Sequence, residues 1–323
     1  MNAEPTFRCA ICRCYLDEDD LFCSNCGTES HLSSGAAAQL KSATSLYSFG
    51  CQSCGASMSY DASARALRCP FCGSSRMERQ QDSRGIKPNG VVPLVVTRER
   101  AESLLRNWLG KGFWRPSDAA RAARIGEIAA VYVPYWVFEA QTDTQWAADS
   151  SPAPMGARGQ WYPVCGTNSS RYAAVLVGGS SVLTPAETAA LTPFDVAAAL
   201  PPQDVDLDNA IVEEFRVPRK IARPIARQQL EQFERQACHR LVPNQVRNLR
   251  INMQVSSMMG QPLLLPVWIL AYEYKQTVHR VLINGQTAAI TGSAPFSYGK
   301  LLGVVLTVGL VLLALLILVM LAN

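Results

Sequence analysis

Two stretches, VYVPYWVFEA at 131–140 and LLLPVWILAY at 263–272, repeat one pattern: apolar, any, apolar, Pro, any, Trp, any, apolar. Each is rich in aromatic and branched residues and reads as a buried strand. Each follows a helix candidate, the second after an intervening strand, and each leads into further strand. The echo is read as two related α+β units, an internal duplication. Pro134, Trp136, Pro266 and Trp268 are read as core residues at strand edges, with a tryptophan-lined groove as the alternative.

Working outward from the first copy, VVPLVV (91–96) is a strand candidate. Thr97 is a plausible N-cap for a helix carrying Ala101, Leu104, Leu105 and Trp108, which stops at Gly110. A short helix begins at Ser117. Residues 128–146 read as a strand or strand pair, followed by a loop at 150–160 and a further strand in 171–183. Prolines at 185, 193, 201 and 202 make 184–210 irregular. A helix runs from Pro224, placed at a first helical position, to about Leu241, and 246–257 has strand character. In 263–292 a strand is followed by a hairpin, its turn assigned to Asn284-Gly285 because both central positions favour positive φ.

Nine of the eleven cysteines lie between residues 9 and 72, and eight of these form four C-x-x-C pairs. The N-terminus, MNAEPTFRC, has no apolar export signal, so a reducing compartment and zinc are expected rather than disulfides. The second block is the cleaner: Cys51 and Cys54, then Cys69 and Cys72, each pair running into glycine. Four thiolates close a tetrahedral shell, which makes a structural site. The first block is Cys9, Cys12, Cys23 and Cys26; Cys14 competes with Cys12, and His31 is an alternative ligand. Two structural Zn2+ ions are therefore expected. Cys165 and Cys238 have no partner pair and read as core or partly buried thiols.

The chain thus divides into zinc ribbon 1 (1–30), a linker (31–45), zinc ribbon 2 (46–79), a linker (80–90), an α+β domain (91–299) and a hydrophobic tail (300–323). Residues 301–322 carry no charge, and at about 1.5 Å per residue they reach roughly 33 Å, enough for a ~30 Å hydrocarbon core. A transmembrane helix is expected. Lys300 at its start and the reduced cysteines place the N-terminus in the cytoplasm, tail-anchored in the inner membrane.

Net charge is +4, too small to imply nucleic acid by itself. Residues 1–30 are net −4, which disfavours a phosphate-binding ribbon. Residues 216–250 are net +7, read as a solvated helix face, a contact for anionic lipid, or a site for nucleic acid or an acidic protein. No phosphate-binding loop, dinucleotide fingerprint, H-E-x-x-H or G-x-S-x-G occurs, and histidines are few, at 31, 239 and 279. The sequence Asp204-Val-Asp206-Leu-Asp208 fails as a calcium loop, with Asn209 and Phe215 at the required glycine and glutamate positions. No catalytic residue is assigned.

The stretch CQSCGASMSYDASARALRCPFCGS, the VYVPYWVFEA and LLLPVWILAYEY strands, and NGQT-x-x-x-x-G-x-x-P at 284–295 resemble a bacterial family. Its members are membrane proteins with a TFIIB-type zinc ribbon, some carrying labels borrowed from the primosomal helicase PriA. The resemblance covers about 46–323 and implies a structural zinc and a membrane anchor. The helicase label does not carry over, because the chain lacks a phosphate-binding loop. The expectation is a non-enzymatic scaffold that brings a cytoplasmic protein partner to the inner membrane. A membrane-tethered nucleic-acid-binding protein is the alternative.

Overall fold

The computed structural model describes residues 9, 11–13, 47–60, 68–80 and 86–322, apart from 157, 158, 181, 206, 208 and 209. In chain order it contains β1 (Tyr47–Cys51), β2 (Ser57–Tyr60), β3 (Met77–Gln80), β4 (Gly90–Val91), α1 (Arg98–Gly110), α2 (Ala119–Ala122), β5 (Arg124–Ser151) and β6 (Tyr162–Gly178). There follow α3 (Pro185–Ala190), β7 (Ile211–Glu213), α4 (Arg219–Leu241), β8 (Gln245–Tyr274), β9 (Thr277–Asn284), β10 (Ile290–Gly292) and α5 (Tyr298–Ala322). This is a mixed α+β fold on one large sheet, ordered β10-β9-β8-β5-β7-β2-β1-β3, with β4 added to β8 and β6 to β5.

The framework is the antiparallel pair β5 and β8, laddered from Arg124 opposite Glu273 to Ser151 opposite Gln245. Near the middle both strands are covered on two faces, so every residue from 131 to 138 and from 262 to 270 is buried. Toward the Ser151 end only one face is covered. There Gln141 to Ala148 alternate exposed and buried, the period of a half-buried strand. The covering element is α4, whose Ala222, Ala226, Leu230, Glu234 and Cys238 recur every four residues and are all buried.

Tyr132 pairs with Pro266 and Pro134 with Leu264, about the central pair Val133 and Leu265. Around that centre the two halves repeat one bond set. Gly179 N donates to Pro134 O at 2.8 Å, and Gly285 N to Pro266 O at 2.8 Å. The Arg216 and Val217 N–H groups donate to Gly179 O at 2.9 and 3.1 Å; those of Val95 and Val96 donate to Gly285 O at 2.9 and 2.7 Å. Trp136 Nε1 donates to Val217 O at 2.8 Å, and Trp268 Nε1 to Val96 O at 2.7 Å. β7 lies parallel to β5 as β4 lies parallel to β8, and α4 and α1 follow them. Unit one (β4-α1-α2-β5-β6) and unit two (β7-α4-β8-β9) are therefore exchanged, each lending its first strand and helix start to the other. Both tryptophans are buried core residues, and neither lines a groove.

Several local expectations change. β8 and β9 reverse at Lys275 and Gln276, with φ of 49° and 65°. The chain reverses again at Asn284-Gly285, from β9 into β10, in a turn longer than two residues: Ala288 N donates to Asn284 O at 3.0 Å, and the positive φ falls on Ala288. Asn284 is fully buried. Its Nδ2 donates to Leu191 O at 2.7 Å and Pro193 O at 2.9 Å, and its Oδ1 accepts from Gln286 N and Thr287 N, both at 2.8 Å. Segments 246–257 and 263–272 are one strand, β8, and β6 begins at Tyr162, well before 171. Helix α4 starts at Arg219, so Pro224 lies inside it. The missing Pro224 N–H falls close to the start of the helix, and burial of Arg219 and Ala222 against the sheet holds the first turn in place.

Helix α5 runs for 25 residues, and beyond Lys300 nearly all its described side chains are exposed. Among the described residues no helix is long and apolar enough to cross a membrane.

Candidate metal centre

Cys51 and Cys54 lie on the turn from β1 to β2, and Cys69 and Cys72 on the turn before β3. Each turn is closed in the same way. Gly55 N donates to Cys51 O at 2.8 Å and Gly73 N to Cys69 O at 2.7 Å. Cys51 N donates to Ala56 O at 2.8 Å and Cys69 N to Ser74 O at 2.9 Å. The chain can turn this tightly because Gly55 and Gly73 have φ of +78° and +72°, a region that disfavours a side chain.

The four sulfurs converge within 4.8 Å of one another. Cys51 Sγ lies 3.6 Å from Cys72 Sγ, and Cys54 Sγ 3.5 Å from Cys69 Sγ. A disulfide is far shorter, at about 2.05 Å. A zinc tetrathiolate with bonds of about 2.3 Å has tetrahedral edges of about 3.8 Å, close to these separations. Burial pushes the Cys54 thiol up to about 11 and raises Cys69 as well. Burial also opposes ionisation of Cys51, but hydrogen bonds from the Cys54 and Ser53 backbone bring it down to about 7. Four thiolates crowded in this way need a cation among them. The donor set fits one zinc ion, held with no open position.

The ribbon is built into the large sheet. β2 pairs with β7, Met58 opposite Glu213, and Glu214 N donates to Ser57 O at 3.0 Å. Met58 and Phe71 join the core that holds Leu183, Leu191, Phe194 and Leu282. Arg280 on β9 ties the second knuckle down: Nη1 donates to Phe71 O at 3.5 Å, and Nη2 reaches Glu187 at 2.6 Å. The boundary drawn in 80–90 between ribbon and α+β domain is therefore crossed by strand pairing and by a shared core.

Of the first block, Cys9 is buried, and Arg13 N donates to Cys9 O at 2.9 Å. That is the bond of the other knuckles, with Arg13 at φ 56° in the place of glycine. Cys14, Cys23, Cys26 and His31 lie outside the described residues, as do Asp206, Asp208 and Asn209. Cys238 is buried, whereas Cys165, expected in the core or partly buried, is exposed. It sits on β6 opposite Ala147, beyond the face that α4 covers.

Two buried acids escaped the sequence reading. Glu234, expected on a solvated helix face, has no exposure. It accepts from Thr142 Oγ1 at 2.8 Å, Asn168 Nδ2 at 3.0 Å and Tyr172 OH at 2.7 Å. Burial opposes its charge, but these bonds hold its carboxyl at about 2. Glu213 Oε1 accepts from Ser180 Oγ at 2.5 Å, while Oε2 has no partner among the described residues. Burial raises that carboxyl to about 8. The basic run 216–250 does not form one surface. Arg219 is buried, Arg223 donates to Met258 O, Arg235 pairs with Glu231, and Arg247 pairs with Asp149.

No protein-family model matches the chain. It is 24% identical over 229 residues to an uncharacterised protein, YdjG, of Bacillus subtilis (strain 168). The match covers 67% of this chain and 66% of the relative, just under two thirds of that protein's length. No solved structure matches.

Proposed function

We propose that the protein is a non-enzymatic, membrane-tethered zinc-ribbon scaffold that recruits a cytoplasmic protein partner to the inner membrane. The observation that carries this reading is the joining of a closed four-cysteine centre, through one continuous domain, to a helix that carries no charge beyond Lys300. A closed shell leaves no position for substrate, so the metal stiffens a surface. A second structural zinc in the first block belongs to the same reading, supported by the knuckle bond at Cys9.

The membrane part rests on residues 301–322, uncharged and roughly 33 Å long as a helix, against the ~30 Å hydrocarbon core. Inside water such a helix is stable only when covered. Here Leu302, Val305, Leu306 and Leu310 are all more than half exposed, so the domain does not cover it. Lipid is the cover proposed, with the ribbons on the cytoplasmic side.

The nucleic-acid alternative has weaker support, because several arginines of 216–250 are engaged within the protein. Contact of that run with the anionic surface of the same membrane is also less favoured. Arg235 and Arg247 lie toward the Ser151 end of the β5–β8 ladder, whereas α5 begins beside the opposite end.

The test is purification of the full chain in mild detergent, beside a Cys51→Ser/Cys72→Ser variant. A stoichiometric protein partner, lost in the variant, is the expected result. Absence of any partner, together with DNA or RNA binding that weakens steeply with salt, overturns it in favour of the alternative.

A further inference from the structure

The loop after α1 reads Lys111-Gly112-Phe113-Trp114-Arg115-Pro116. Phe113 is 65% exposed and Trp114 41%, unusual values for large apolar side chains that a folded domain can bury. Across the fold, Phe296 and Tyr298 lead into α5 and are 45% and 77% exposed. The four rings form one continuous cluster. Phe113 meets Trp114 edge-on at 4.9 Å, Trp114 stacks on Phe296 at 5.7 Å, and Phe296 meets Tyr298 edge-on at 5.4 Å.

The cluster is fixed to the start of α5. Ser297 N donates to Trp114 O at 2.8 Å, and Lys300 Nζ to Arg115 O at 2.7 Å. Arg115 locks the loop from the other side, its guanidinium 3.7 Å above the Trp108 ring and bonded to the Trp108 and Lys111 carbonyls. An aromatic patch scattered at random over a surface needs no explanation. This one is contiguous, hydrogen-bonded to the domain, and placed where a helix with no charge beyond Lys300 leaves it.

We infer that this aromatic collar lies in the headgroup layer of the bilayer that α5 crosses, seating the folded domain on the membrane surface; the inference rests on the membrane reading above. Aromatic rings with a polar edge partition to the membrane–water boundary, and flanking lysines direct their charge to the headgroups. Lys111 and Lys300 flank the rings. With the collar seated, α5 and the domain move as one body, and the domain's orientation to the membrane is set by the Trp114–Phe296 contact.

The test uses the full chain in phosphatidylcholine–phosphatidylglycerol vesicles, with and without bromine on the acyl chains. Bromine quenches tryptophan emission only from within the bilayer. Trp114→Phe is expected to remove most of the bromine-dependent quenching. Trp161→Phe is expected to leave it unchanged, because Trp161 lies under Arg247 toward the far end of the ladder. Equal quenching in wild type and Trp114→Phe, with both chains floating with the vesicles, overturns the collar and leaves the membrane reading intact. A full chain that does not float with vesicles overturns both.

Discussion

Trp136 and Trp268 are tied to the backbone of each other's unit: the first donates to Val217 O, the second to Val96 O. Both acceptors stand just before a helix, α4 in one case and α1 in the other. Neither unit can therefore close its core without the other. Truncating either ring removes a buried aromatic and leaves a buried carbonyl without its donor. Trp136→Phe and Trp268→Phe each keep an aromatic ring but lose the N–H and part of the buried bulk; leaving the carbonyl without its donor alone costs about 1–3 kcal/mol. Similar falls in melting temperature are the expected outcome, read by calorimetry. A large fall for one and none for the other would show that the two bonds are not equivalent.

Asn284 uses all its amide capacity on the 191–193 segment and on its own turn. Asn284→Leu removes both donors and the acceptor while keeping the bulk. Leu191 O and Pro193 O then lose their shared donor, and cleavage should appear first around Pro193. Limited proteolysis with mass-spectrometric mapping checks this, and an unchanged cleavage pattern counts against the clamp.

The parts legible in the sequence were those whose cause is local. C-x-x-C-G marks a knuckle because ligands and turn residue lie within five positions, and Pro134-x-Trp136 announced its partner at Pro266-x-Trp268. The exchange of units was not legible, since no residue near Trp136 says that Val217 accepts its bond. Asn284-Gly285 carries the strongest local turn signal and does open the reversal from β9 into β10, but the turn is longer than two residues and the Asn284 amide also bonds Leu191 and Pro193. The further reversal between β8 and β9 was not legible, because Lys275 and Gln276 have no marked preference for positive φ. Glu234 did leave a signal. It stands on the four-residue line of Ala222, Ala226, Leu230 and Cys238, which is the buried face of α4.

Metal removal tests the centre directly. Cys69→Ser is expected to lower bound zinc by one equivalent per chain, measured by release to a colorimetric chelator. Because Phe71 and Met58 belong to the main core, the loss should also lower the melting temperature of the whole domain. Cys9→Ser separately tests the first block, where a further equivalent is expected to disappear. Zinc content unchanged in Cys69→Ser rules out the four-cysteine centre.

The two buried glutamates should respond to pH with opposite signs. Glu234 is held at about 2, below its ordinary 4.5, so its contribution is present above the unfolded value and lost as pH falls through 4.5 toward 2. Glu213 is raised to about 8, so the folded state retains a proton that the unfolded chain releases near 4.5. Stability from Glu213 is thus fully present below about 4.5 and falls as pH rises toward 8. Glu213→Gln mimics the protonated acid and should stabilise the protein at pH above that value, by on the order of a few kcal/mol. Glu234→Gln removes a charge that three donors stabilise and should destabilise it at neutral pH, by about 1–3 kcal/mol. Denaturant unfolding of both variants at acidic, neutral and mildly alkaline pH separates the effects. Parallel stability profiles for Glu213→Gln and wild type would place the Glu213 carboxyl at its ordinary value and remove the argument.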